Sequence, residues 1–254
     1  MQARLAEHTV AQVRPQRRRL FGPVAIVLGA LVFATSGCGS PAQELISETP
    51  APPGLARTPG SRPAGDAAGH IAAGQAALEG GNFGKAEQEY RDALALDPRS
   101  ARAQFGLGNL YVRLNRLPEA EQAFRAAIAN DPKMAAAQTN LGVVYYQLGQ
   151  LGEAASAFQE ALRVEPDDPS TLYLLAAVRL QENNLEEAEK LLVQARDRKP
   201  DLSEVYYGLG VLYRLKGQKE EAIQAFEKFL SLGPSQDPTA ADNARQELKQ
   251  LKGQ

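Results

Sequence analysis

Large and small apolar residues return along this chain at intervals of four and three. Ala86, Tyr90 and Ala93 begin the series, and Ala120, Phe124 and Ala127 follow 34 residues later. Ala154, Phe158 and Ala161, then Ala188, Leu192 and Ala195, then Ala222, Phe226 and Phe229 continue it at the same interval. That spacing puts three side chains on one face of an α-helix. A second series runs ahead of the first. Leu107, Leu141, Leu175 and Leu209 are followed by Gly108, Gly142, Ala176 and Gly210, and three residues on by Tyr111, Tyr145, Arg179 and Tyr213. A glycine inside a helix costs about 1 kcal/mol against alanine. Its return predicts two helix backbones in close approach, so each period holds a pair of helices.

The helix breakers keep the same beat. Pro98, Pro132, Pro166, Pro200 and Pro234 are each 34 residues apart. Proline lacks the N–H that a helix interior needs, so it ends one unit and opens the next connection. Seventeen residues before each proline stands Gly81, Asn115, Gly149, Asn183 or Gly217. These two residue types tolerate the left-handed conformation that closes a helix. The unit is therefore helix, left-handed turn, helix, proline, repeated as in a solenoid.

The register of a bulky residue, Leu-Gly, Tyr, Ala, Phe, Ala and Pro resembles the tetratricopeptide repeat. The resemblance covers residues 67 to 236 as five units, 67–100, 101–134, 135–168, 169–202 and 203–236. It implies an all-α fold, a right-handed α-solenoid of five helix pairs. Unit one departs from the pattern at His70, Ala73 and Ala77, and unit four at Arg179. A poor first unit fits the open end of an array. Residues 237–254 predict a C-terminal capping helix. Ala240, Ala244, Leu248 and Leu251 form its one apolar stripe, and Phe229 replaces alanine just before it.

In this family the second, fifth, sixth, ninth, twelfth and thirteenth residues of each unit line a concave groove that binds proteins or peptides. Carried onto this chain, the resemblance gives Arg102, Phe105, Asn109, Asn140, Val143, Tyr146, Tyr173, Tyr207 and Arg214 as the peptide-groove residues. Aromatics exposed there would supply large contact area at low entropy cost. Asparagines would pair with the backbone of an extended peptide. The other reading of the aromatics is packing between neighbouring first helices. Members that grip a C-terminal carboxylate use two asparagines and three bases. Asn109 and Asn140 match, but Phe105, Ser170 and Leu174 stand where bases belong, so a carboxylate clamp is not expected.

Charge and composition narrow the partners. The 254 residues carry 28 Lys+Arg and 30 Asp+Glu. Residues 1–37 hold five arginines and one acid, so the remainder has 23 bases and 29 acids, a net charge of −6. That argues against nucleic acid and against attraction to anionic lipid heads. Arg14, Arg17, Arg18 and Arg19 precede an uncharged run from Leu20 to Ala34. The run is short for a membrane span, which takes about 20 apolar residues. Residues 1–37 read as a signal peptide, and the arginines loosely fit a twin-arginine export signal. The only cysteine, Cys38, follows Thr35-Ser36-Gly37, a stretch that resembles the lipobox of bacterial lipoproteins. The resemblance makes Cys38 the lipidation site; an uncleaved anchor and ordinary cleavage near Ala34 are the alternatives. Residues 38–66 then form a lipid-anchored, disordered tether, since 39–65 hold six prolines and four glycines and cannot bury a core. Its span is roughly 30 Å.

Little here points to catalysis. Glu119, Glu153, Glu187 and Glu221 keep the 34-residue beat, each in the first turn of a second helix, where a carboxylate favours the positive end of the helix dipole. Glu87 and Arg91, like Glu121 and Arg125, are spaced as ion pairs on a wet helix face. Gly106-Leu107-Gly108 and Gly208-Leu209-Gly210 follow no strand, so neither is a dinucleotide motif. The histidines are His8 and His70. A single histidine beyond the leader makes no triad, and no metal site or cofactor is expected. The expectation is a non-catalytic scaffold or adaptor, lipid-anchored in a bacterial envelope and facing periplasm or exterior. It would bind a protein or peptide partner during assembly of an envelope, secretion or pilus complex. A self-associating structural component and an accessory subunit of an enzyme are the alternatives.

Overall fold

Eleven α-helices and no strand make up the described residues, 66–233 and 238–253 of this computed structural model. The signal segment, Cys38, the tether as far as Gly65, and Pro234 lie outside them. Five first helices, α1 (Ala67–Glu79), α3 (Ala101–Arg113), α5 (Ala135–Gln147), α7 (Pro169–Gln181) and α9 (Ser203–Leu215), alternate with five second helices. The latter are α2 (Phe83–Leu96), α4 (Leu117–Asn130), α6 (Leu151–Val164), α8 (Leu185–Arg198) and α10 (Lys219–Ser231), and α11 (Pro238–Lys252) closes the series.

The turn inside each unit follows from its left-handed residue. Gly81, Asn115, Gly149, Asn183 and Gly217 all have positive φ, between 55° and 76°. The N–H of the next residue then reaches back to the carbonyl five residues earlier, as Asn82 does to Ala77 at 2.8 Å and Gln150 to Tyr145 at 2.9 Å. This satisfies carbonyls that the helix end leaves open. The same next residue is the N-cap of the second helix. The Asn82 and Asn184 side chains cap α2 and α8 by accepting from Lys85 N and Glu187 N.

Each first helix packs on its own second helix and, from α3 onward, on the second helix of the unit before. First helices of successive units also touch, α1 with α3 and onward to α9, more closely than second helices do. The first helices therefore line the inner side of the array. The predicted faces are buried: Ala86, Ala120, Ala154, Ala188 and Ala222 are fully covered, as are Phe124, Phe158 and Phe226. The recurrent glycines answer to a ring rather than to a backbone, which corrects the sequence expectation. A β-carbon on Gly142 would fall 2.6 Å from Cε1 of Phe158, and one on Gly210 would fall 2.6 Å from Cε1 of Phe226. Tyr90 is seated the same way between Gly74 of its own unit and Gly106 of the next.

The far end is closed as its apolar stripe predicts. Ala240 and Ala244 of α11 are buried, and Leu248 and Leu251 pack against the core. Phe229 is buried too, its ring 5.2 Å from Tyr207 in an edge-on arrangement.

Candidate protein-binding surface

The inner side is built from the first helices, so its chemistry depends on which of their side chains stay accessible. On α3, Arg102 is exposed, and Phe105 and Asn109 are half-buried. The Phe105 ring leans on Phe124 at 5.8 Å between centroids. Asn140 Nδ2 donates to Asn109 Oδ1 at 2.7 Å, tying α5 to α3 across a unit boundary. Thr139 and Thr171 make the next such link, with their hydroxyl oxygens 3.0 Å apart. The two asparagines expected in the groove are thus bonded to each other, and Asn140 is buried with its amide engaged within the array.

The remaining predicted groove residues are less open than their register implied. Val143, Tyr146, Tyr173 and Tyr207 are all buried, the last two to 2 % exposure. Tyr207 sits edge-on to Phe226 at 5.8 Å as well as to Phe229. Tyr173 reaches α9, where a β-carbon on Gly208 would meet its Cε2 at 3.3 Å. Gln181 Nε2 donates to the Tyr146 hydroxyl. Burial pushes the Tyr146 phenol above its ordinary range. The expectation of exposed aromatics is corrected for these three tyrosines: α5 and α7 are buried on nearly every face, which covers Tyr146 and Tyr173, and Tyr207 of α9 is held by Phe226 and Phe229. Arg214 is corrected as well. It is half-buried and its Nε pairs with Glu247 Oε2 of α11 at 3.3 Å, so it holds the capping helix.

The outer side carries a link that the sequence spacing contained. The Tyr111 hydroxyl donates to Glu87 Oε1 of the preceding unit at 3.1 Å, and Tyr145 repeats the bond to Glu121 at 3.4 Å. Both pairs lie 24 residues apart on the common beat. Arg91 and Arg125 complete the expected ion pairs with Glu87 and Glu121, at 2.6 and 3.2 Å. Arg116 lies 4.5 Å above the Tyr111 ring. Unit four, with Arg179 in place of tyrosine, pairs instead with its own Glu182 and Glu187, at 2.7 and 2.8 Å.

Comparison with known proteins agrees with this arrangement. Residues 71–135, 109–170, 145–206 and 203–236 match tetratricopeptide repeat family models. The chain belongs to the tetratricopeptide repeat family. Among solved structures it is similar to YrrB, described as a tetratricopeptide repeat protein with an unusual peptide-binding site. Identity there is 25%, the TM-score is 0.57, and the match covers 71% of this chain and 92% of YrrB. It is similar in fold to pilF of Pseudomonas aeruginosa, at 21% identity and TM-score 0.63, over 73% of this chain and 88% of that one. It is likewise similar in fold to PilW, described as a widely conserved type IV pilus biogenesis factor, at 19% identity and TM-score 0.63, over 74% and 90%. A search of curated proteins by sequence finds no match. Among the described residues of this tetratricopeptide repeat array, no helix is long and apolar enough to cross a membrane.

Proposed function

We propose that this protein is a non-catalytic scaffold, tethered to a bacterial envelope membrane by lipid on Cys38, that binds a peptide segment of a partner protein on the inner side of its repeats during assembly of an envelope complex. The observation that carries the reading is the row of first helices joined along one side, with Arg102, Phe105 and Asn109 accessible on α3. An aromatic beside an amide and a guanidinium offers one apolar anchor and both senses of hydrogen bonding to a peptide backbone. The peptide-binding site named for YrrB and the pilus role named for PilW support the partner class and the setting. The anchor rests on the residues before Cys38, and it would keep the array within roughly 30 Å of the bilayer.

Photo-crosslinking tests the surface. A crosslinking residue at Phe105, on the full chain in its own membrane, is expected to capture a specific partner, and Asn109→Ala to weaken that capture. The same probe at Gln122, exposed on the second helix α4, is expected to capture much less. Equal capture at both positions would move binding off the inner side. For the anchor, Cys38→Ala should abolish fatty-acid labelling; undiminished labelling would refute it.

A further inference from the structure

The fold brings three metal-ligating side chains together at the start of the array, away from the inner surface. His70 comes from α1, and Glu89 and Asp92 come from α2. Their donor atoms all lie within 4.8 Å of one another. His70 Nδ1 is 2.8 Å from Glu89 Oε2. Glu89 is buried, and His70 and Asp92 are partly so.

The other four units show what this corner ordinarily contains. At the 34-residue equivalents of His70, Glu89 and Asp92, unit two has Gln104, Ala123 and Ala126, and unit three has Gln138, Ala157 and Glu160. Unit four has Leu172, Leu191 and Gln194, and unit five has Tyr206, Ala225 and Lys228. The middle position is apolar in all four, and Ala123 and Ala225 are buried there. Unit one departs from that apolar middle position with Glu89, and only in unit one do an imidazole and two carboxylates occupy the three positions together. Glu89 thus places a buried carboxylate at a position that is alanine in three other units and leucine in the fourth. Asp92 Oδ1 also accepts from Gln88 Nε2 at 2.8 Å.

We propose that His70, Glu89 and Asp92 form a binding site for a divalent transition metal of the zinc type. One imidazole and two carboxylates suit such an ion. Glu89 and Asp92, three apart, project from the same side of α2 toward α1. Ligand bonds run about 2.0–2.2 Å, so the donors close inward by less than about 1 Å each around the ion, and water takes the open position. The lone histidine spoke against a metal in the sequence; pairing α1 with α2 supplies the two carboxylates. The ion would pin α1 to α2 in the unit whose packing residues depart most from the repeat, at His70, Ala73 and Ala77.

The test uses the full chain carrying His8→Ala and Cys38→Ala, which leaves His70 as the one imidazole and removes the thiol. After chelation, ZnCl2 is added and followed by calorimetry and thermal melting. One Zn2+ per chain is expected, with a raised Tm and at least tenfold weaker uptake in His70→Gln and in Asp92→Asn. A variant that frays α1 would also lose uptake, so the parent carries a second readout. Its single imidazole proton resonance must shift on Zn2+ addition, and X-ray absorption must show nitrogen and oxygen ligands only. No uptake by the parent, an unmoved imidazole resonance, or equal affinity in the His70→Gln/Asp92→Asn double variant would overturn the site.

Discussion

Phe158 lies over Gly142 so closely that a β-carbon on the glycine would meet Cε1 of the ring at 2.6 Å. The two residues belong to opposite helices of one unit, and the contact recurs between Gly210 and Phe226 at the same distance. Units one, two, three and five are each closed by an aromatic plate resting on a glycine of the facing helix, while unit four has Leu192 and Ala176 there, so the separation of the helices follows from what that stretch lacks.

Gly142→Ala should therefore destabilise the fold, although alanine is the better helix former. Overpacking of this kind costs about 1–3 kcal/mol. Gly152→Ala, in a helix with nothing within 4 Å of the added carbon, should instead gain about 0.5–1 kcal/mol. Urea melts measure both. Adding Phe158→Leu to Gly142→Ala should recover part of the loss, and a double-mutant cycle reads the coupling.

Tyr207→Ala should behave as a core deletion. Its ring is packed on Phe226 and Phe229 at the last internal joint, and removing a buried aromatic costs about 3–5 kcal/mol. Tyr206→Ala, its half-buried neighbour, should cost clearly less. Denaturant midpoints that rank the two in reverse would contradict the packing.

Tyr111→Phe and Tyr145→Phe each remove one hydroxyl bond to the glutamate of the preceding unit. Each should cost about 1 kcal/mol, visible as a lower midpoint without lost helicity. Tyr206→Phe, whose hydroxyl donates to Pro200 O on the surface, should be nearly silent.

Alkaline pH should unfold the array through its buried phenols. Burial, aided by the Glu79 charge and opposed by Arg113, pushes the Tyr90 phenol from 10 up to about 12. Burial also raises Tyr146. A raised pKa means that the folded state holds its proton more tightly than the unfolded one. The corresponding stability is whole below pH 10 and is lost as pH rises from 10 to about 12. Melts at stepped pH should fall in that window, and Tyr90→Phe with Tyr146→Phe should flatten the fall.

The period, the helix pairs and the buried faces of the second helices were legible because they are local. Spacings of four and three, a left-handed residue and a proline are properties of neighbouring residues. What met across the array was not read from the spacing, even where it kept the beat, as with Tyr111 and Glu87. The glycines announced a close approach but not its partner, since no spacing tells a ring from a backbone. Tyr173 and Tyr207 occupy positions that the family turns inward, and register does not say whether a large ring stands in solvent or folds into the next joint. Arg214 looked like a groove cation because its acceptor, Glu247, lies in a helix outside the repeat.

The capping helix gives the array a direction. With Ala240 and Ala244 seated on the last unit, and Glu247 and Lys252 bound to Arg214 and Glu227, the terminal joint is occupied by a piece unlike any repeat. Such a molecule lengthens from within. A unit spliced between Asp168 and Pro169 would meet two ordinary joints, whereas one appended after Lys252 would find none. For a repeat array closed in this way, reach becomes a quantity that can be dialled unit by unit from the middle, with the capping helix left untouched.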